Sequence, residues 1–308
     1  MSNVLTLESA LQQPLIIDGG LGSELERNGC DVSDRLWSGR VLLDAPQQIA
    51  KVHRAYLDAG ARVVITASYQ VSFSGFAREG FSSVATANAL RKSVELARRV
   101  RDDFFKETGG YALVAASVGP YGAALADGSE FHGNYAANFD DLVQFHLQRM
   151  QILASSGPDL LACETIPSLE ETHAILTCLK QFPDTKAWFS FSCRDHLQIS
   201  RTEPIRECAR LLKNEPQVAL IGINCTPPRL IESLIGELRA ETEKPIVAYP
   251  NSGRTWHAPS RSWLGTSELE DFGKLAKRWS DAGATWIGGC CGTTPDDISD
   301  LHDSLLAA

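Results

Sequence analysis

The 308-residue sequence has no block of Lys or Arg and no stretch where basic and aromatic residues interleave. A nucleic-acid partner, whose phosphates call for a basic face, is therefore not expected. A net charge of −9 also disfavours an anionic membrane surface. No apolar run approaches the roughly 20 residues that span a bilayer, so no membrane partner is expected. Residues 1–14 lack both a basic patch and an apolar stretch, so no signal peptide is expected there. Eight cysteines are spread through the chain. In a long chain without a leader they read as reduced thiols rather than a disulfide framework, and the expected compartment is the cytoplasm. No Pro/Gly/Ser-rich linker or composition break divides the chain, so residues 1–308 are read as one domain, and a monomer is expected.

What the sequence does have is alternation. Short apolar runs alternate with longer amphipathic segments throughout: Leu15–Ile17, Arg62–Thr66, Ala112–Ser117, Leu160–Cys163, Ala187–Ser192, Val218–Ile223, Pro245–Tyr249 and a last run ending before Cys290. Helical segments are expected between them, for example over Pro46–Ala59, Val84–Glu107, Asp140–Ser155 and Pro228–Glu241. Trp37–Leu43 reads as loop, and Ala123–Asn138 as a long, polar and aromatic loop of the functional kind. Eight β/α units predict a single (β/α)8 TIM barrel in the α/β class. A doubly wound open sheet is the alternative, but it gives no reason for polar residues to gather at every strand end. Asp18, Ser68, Glu164, Cys225, Asn251, Cys290 and Cys291 all follow a strand, at the end where barrel enzymes build their sites.

The stretch Gly288-Gly289-Cys290-Cys291-Gly292-Thr293-Thr294-Pro295 is the most informative. Thr294 and Pro295 form a helix start. Two adjacent thiols can converge on one point only from a flexible, glycine-built turn, and a single metal ion is such a point. Tetrahedral zinc takes at least three protein ligands, and Cys225 of Gly222-Ile223-Asn224-Cys225 supplies the third candidate. The other five cysteines fall in or beside apolar segments or in a loop and read as packing residues.

These motifs, with Asp18-Gly19-Gly20, Ser68-Tyr69-Gln70, Ser117-Val118-Gly119-Pro120-Tyr121-Gly122, Glu164-Thr165 and Tyr249-Pro250-Asn251-Ser252-Gly253, resemble the homocysteine S-methyltransferases nearly from end to end. The resemblance is nearest to the bacterial enzymes that use S-methylmethionine. It implies a zinc-binding barrel, with zinc at the C-terminal ends of the strands, that methylates homocysteine to methionine. Cys225, Cys290 and Cys291 would be the zinc ligands, and Asn251 a fourth ligand when substrate is absent. Gly20 stands where alanine is common, a departure expected to be small.

The chemistry fits those residues. A free thiol ionises near pH 8.5, and zinc binding would keep homocysteine as thiolate at neutral pH. With the chain filled by one barrel, a small sulfonium donor is expected: S-methylmethionine first, S-adenosylmethionine second. The thioether leaves neutral, so transfer needs positioning more than acid–base help. Trp37, Tyr69 and Tyr121 are candidates to face the sulfonium cation. Asp18 and Glu164 are candidates for substrate ammonium groups, and the backbone of Gly19 and Gly20 for a carboxylate. Ser68 and Asn224 complete the expected substrate-binding set, and Glu130 and Arg254 are further loop candidates for ammonium and carboxylate. The competing expectation is a zinc-stabilised barrel that acts as a binding or regulatory module without catalysis.

Overall fold

The computed structural model describes residues 6–257 and 262–306. Its strands are β1 (Leu15–Ile16), β2 (Val63–Ile65), β3 (Leu113–Val118), β4 (Leu160–Ile166), β5 (Ala187–Phe191), β6 (Val218–Asn224) and β7 (Ile246–Tyr249). A short antiparallel hairpin, β8 (Thr255–His257) and β9 (Ser262–Leu264), precedes β10 (Ala284–Ile287). The main sheet runs β1-β10-β7-β6-β5-β4-β3-β2, and each neighbouring pair is parallel. A parallel bridge from Ile17 to Val63 joins the two ends of that order. With helices between the strands, this is the (β/α)8 barrel that the alternation predicts.

Period-two alternation divides each strand between two cores. Leu15, Ile17, Val63, Leu113, Ala115, Leu160, Ala162, Trp188, Leu220, Val247, Tyr249 and Trp286 fill the barrel interior. Their strand neighbours Ile16, Ala116, Leu161, Cys163, Phe189, Ile221 and Ala248 pack outward, under the helices. Burying each large apolar side chain contributes about 1.5–3 kcal/mol, so both layers hold the strand ends in place. The helix Ser83–Thr108 shows how the outer layer is specified. Ser82 caps it by accepting from the Ala85 N–H, Leu90, Val94, Ala97 and Phe104 form its buried stripe, and Gly109 ends it at φ 74°.

Three local expectations need correction. Most of Trp37–Leu43 is not loop: a helix occupies Ser38–Asp44, starting from Trp37 at φ 48° without a side-chain cap. That start lacks the usual Ser/Thr/Asp/Asn signal. The stretch Ala123–Asn138 is only partly loop, because a helix over Tyr121–Leu125 and a 3-10 turn over Ser129–Phe131 enter it. β4 extends to Ile166, so Glu164 and Thr165 lie inside the strand rather than after it. Its pairing with β5 slips between Cys163 and Ile166, where Thr165 takes φ 59°. The expectation about residues 1–14 falls partly outside the described residues. Within it, Leu7–Ala10 form a short helix, and the Trp286 indole N–H donates to Ala10 O.

Candidate metal and substrate site

The inward alternation of β4 continues past Leu160 and Ala162 to Glu164, which brings a carboxylate to the mouth of the barrel. Ser117 of β3, Ser190 of β5 and Tyr249 of β7 reach it by the same rule. Ser117 Oγ donates to Glu164 Oε1, and Tyr249 Oη donates to Oε2 at 3.1 Å. Below, the Trp188 indole N–H donates to Tyr249 Oη at 3.0 Å. Asn224 at the end of β6 braces the neighbouring strand: its Oδ1 accepts from the Thr165 N–H at 2.7 Å and its Nδ2 donates to Thr165 Oγ1 at 2.8 Å.

The next residue, Cys225, takes φ 47°, a left-handed conformation unfavourable for a residue with a side chain. It is held by its N–H on Tyr249 O at 3.1 Å, while the Cys290 N–H binds Pro250 O at 2.7 Å. The result is convergence. Cys225 Sγ lies 3.7 Å and Cys290 Sγ 4.0 Å from Cys291 Sγ, and all three sulfurs lie within 4.8 Å of one another. A disulfide needs sulfurs near 2.05 Å, and all eight cysteines are free. Thiolates about 2.3 Å from one tetrahedral ion stand about 3.8 Å apart, so this spacing fits a metal. The helix start after the turn is as expected: Thr294 and Asp297 hydrogen-bond reciprocally, and Pro295 opens the helix.

The cluster is electrostatically crowded. Hydrogen bonds from Cys225 and Cys290 push the Cys291 thiol well below its ordinary range, while Cys225 is pushed up by the other two thiols and by burial. Burial and the nearby Cys290 push Glu164 up to about 8, against the opposing hydrogen bonds of Ser117 and Tyr249. Burial also drives Asp18 well upward, with the Ile65 N–H pulling the other way and Glu164 and Cys290 adding to the rise. Asp18 Oδ2 accepts that N–H at 2.9 Å, whereas its Oδ1 is buried without a partner among the described residues. Thiols and carboxyls forced upward together are stabilised by cations in the same space. A metal among the sulfurs and an ammonium between the carboxyls would supply them.

One cavity of about 150 Å³ contains these groups, with Asp18, Glu164, Cys225, Cys290 and Cys291 in its wall. Gly19, Gly20, Trp37 and Tyr69 also line it, as expected. Others stand back from it. Ser68 is buried and donates to Ser117 O, and Asn224 is committed to Thr165. Tyr121 packs against Tyr135 and Phe145 instead of facing the cavity. Asn251 donates to Cys225 O at 3.1 Å and accepts from the Gly253 N–H at 2.8 Å, so its amide supports the cysteine backbone, and the residue does not line the cavity. The Gly20 N–H is taken by Thr293 Oγ1 at 3.0 Å, which leaves only Gly19 of that pair for a carboxylate. Gly20 itself is less incidental than expected, since a Cβ there would sit 2.5 Å from Cys290 O.

The sequence reading missed Thr66, Gln70, Asp34, Arg35, Thr165 and Phe131 in the cavity wall. Gln70 and Thr165 belong to the Ser68-Tyr69-Gln70 and Glu164-Thr165 motifs. Asp34 and Arg35 had no signal beyond lying near Trp37. Arg254 does not line the cavity.

The sequence profile described as homocysteine S-methyltransferase matches residues 15–305. The chain belongs to the homocysteine S-methyltransferase family. Homocysteine S-methyltransferase YbgG of Bacillus subtilis (strain 168) is 46% identical over 292 residues, covering 93% of each chain. Selenocysteine methyltransferase of Astragalus bisulcatus is 43% identical over 310 residues, covering 94% of this chain and 92% of its own. Among solved structures, the metallated form of the Escherichia coli homocysteine methyltransferase MmuM matches with TM-score 0.86 and 41% identity, over 94% of this chain and 96% of that one. This homocysteine S-methyltransferase is thus an enzyme that transfers a methyl group from a donor to homocysteine. Its three-thiol cluster is suited to a metal ion, in a fold whose relative has been solved with metal. No helix among the described residues is long and apolar enough to cross a membrane.

Proposed function

We propose that the methyl donor is a small sulfonium, S-methylmethionine in preference to S-adenosylmethionine, and that the metal is zinc held by Cys225, Cys290 and Cys291. The observation that carries the reading is the set of three sulfurs at tetrahedral spacing in the same cavity as Asp18 and Glu164. Zinc in an all-thiolate set supplies an electrophilic position that lowers a thiol pKa and keeps homocysteine ionised at neutral pH. An all-sulfur set without His or Asp suits this task better than the activation of water.

The chain's own residues bind and orient. Asp18 and Glu164 take the ammonium of homocysteine, with Tyr249 and Ser117 fixing the direction of the Glu164 carboxylate. The Gly19 backbone serves the carboxylate end. Tyr69 and Trp37 present aromatic faces to the sulfonium, whose positive charge they favour. The homocysteine sulfur attacks the methyl carbon in line with the departing thioether. One C–S bond forms as the other breaks, and methionine and a neutral thioether result. Asn224 and Asn251 act from behind, holding the backbone of Thr165 and Cys225. We read residues 1–308 as one domain, working as a cytoplasmic monomer without a nucleic-acid or membrane partner.

The test is elemental analysis of wild type and Cys290→Ser, together with methionine formation from homocysteine and S-methylmethionine. One zinc per chain, lost with activity in the variant, is the expected result. Full activity in metal-free protein would overturn it.

A further inference from the structure

We infer that Glu130 selects the methyl donor by binding the ammonium group of an amino-acid sulfonium. The inference rests on the sulfonium reading above and assigns the half of the site that the cysteines, Asp18 and Glu164 leave unexplained.

Glu130 sits on the 3-10 turn Ser129–Phe131 and lines the same cavity as the three cysteines. Its Oε2 is buried and has no hydrogen-bond partner among the described residues. Burial pushes this carboxyl up to about 7, with Asp127 adding to the rise. Only the backbone N–H groups of Glu130 and Gly128 oppose them, and no cationic side chain contributes. A desolvated carboxylate lacking a cation is costly. A ligand ammonium would supply both the opposite charge and N–H donors for the orphan oxygen.

The turn itself is firmly held. The Phe131 N–H binds Gly128 O at 3.1 Å, and the Ser129 N–H binds Asp127 Oδ1 at 3.0 Å. The adjoining helix packs so closely that a Cβ on Gly122 would lie 2.4 Å from the Glu130 nitrogen. The carboxyl is therefore presented by a preorganised backbone, the usual requirement for specificity.

Two substrates, each with one ammonium, must share the cavity, and the carboxyls divide accordingly. Asp18 and Glu164 both lie within electrostatic reach of Cys290, so they belong to the substrate whose sulfur is at the cysteines. No cysteine acts on Glu130. Tyr69 lines the same cavity as Glu130 and Cys225 and lies within electrostatic reach of both, and of Glu164. A donor with its sulfonium near Tyr69 would thus have its ammonium available to Glu130.

The experiment compares S-methylmethionine with 4-(dimethylsulfonio)butanoate, the same sulfonium without its amino group, in wild type and Glu130→Gln. Wild type is expected to prefer S-methylmethionine in kcat/KM by roughly 30-fold or more, the effect of one buried charge pair. Glu130→Gln, which keeps shape and removes charge, is expected to lose most of that preference through S-methylmethionine alone. The KM for homocysteine should stay unchanged. If wild type uses both donors equally, or if Glu130→Gln keeps the preference or slows both donors alike, the assignment is wrong. The wild-type comparison stands even if the variant fails to fold. Wild type that methylates homocysteine from neither sulfonium overturns the donor reading and this assignment together. Turnover without ammonium preference overturns the assignment alone.

Discussion

Tyr249 Oη lies 3.1 Å from Glu164 Oε2 while accepting from the Trp188 indole N–H at 3.0 Å, so one phenol links the barrel interior to a carboxylate at its mouth. Ser190 Oγ shares the same hydroxyl at 2.6 Å. The four side chains are fully buried apart from a sliver of Tyr249 and Glu164, so each polar atom depends on the others. Tyr249→Phe would leave Trp188 and Ser190 short of a partner and release one oxygen of Glu164. The expected cost is about 1–3 kcal/mol of stability, read by denaturant unfolding. A roughly tenfold rise in the KM for homocysteine should accompany it with the donor KM unmoved. Unchanged kinetics would mean that Glu164 does not need this hydroxyl.

Metal removal should be felt far beyond the sulfurs, because Cys225 follows β6 while Cys290 and Cys291 follow β10. Binding to the folded state alone stabilises it by about 4 kcal/mol at a thousandfold excess over Kd. A strong chelator is therefore expected to lower the melting temperature of wild type by several degrees and to leave Cys291→Ser where it already stands. An equal shift in both proteins would place the metal elsewhere.

His53 gives a pH dependence whose sign is fixed by burial. Both ring nitrogens are buried without partners among the described residues, and burial lowers the imidazole pKa to about 4. In the unfolded chain it titrates near 6.5, so between these values the unfolded state holds the extra proton. Stability is complete above about pH 6.5 and falls by roughly 3 kcal/mol as the pH drops to about 4. His53→Leu should flatten this limb of the stability curve, measured by urea unfolding across the range. A curve unaltered by the substitution would show that His53 does not carry it.

Glu171 fastens the segment after β3. Its carboxylate accepts from the Tyr121 N–H at 2.5 Å and from the Tyr135 hydroxyl, and His146 Nε2 stands 2.8 Å away. Glu171→Ala is expected to speed proteolysis between residues 126 and 138 and to raise the donor KM more than the homocysteine KM. A parallel rise in both would assign Glu171 to the barrel as a whole.

Gly222 of β6 has no room for a side chain, since a Cβ would fall 1.8 Å from Val247 O. Gly222→Ala must push β6 from β7 just ahead of Cys225. A loss of about 3 kcal/mol or more is expected, with weakened metal retention. Wild-type melting behaviour in this variant would contradict the packing described.

The barrel was legible because hydrophobic alternation with period two and helical segments between the strands follow directly from side-chain chemistry. The three cysteines were legible because two adjacent thiols on a glycine turn have few structural uses. Other positions were not. Tyr121 and Tyr69 look alike in sequence, yet one is turned into an aromatic cluster and the other into the cavity by the close packing of Gly119 on the Tyr69 ring, 2.8 Å from an added Cβ. The helix Ser38–Asp44 starts from a strained Trp37 that no propensity rule anticipates. The roles of Asn224 and Asn251 as backbone braces depend on which strand lies alongside, information that only the closed sheet provides.

β10 pairs with both β1 and β7, and it leads straight into Cys290 and Cys291. On the ribosome, the nascent chain can lay down seven barrel strands and expose Cys225 long before a complete ion-binding set exists. Ring closure and ligand completion then arrive together with a single late segment. A protein released or stalled before that segment emerges would have neither a closed barrel nor a place for the ion. Correct completion of synthesis is thereby coupled to the capacity for chemistry.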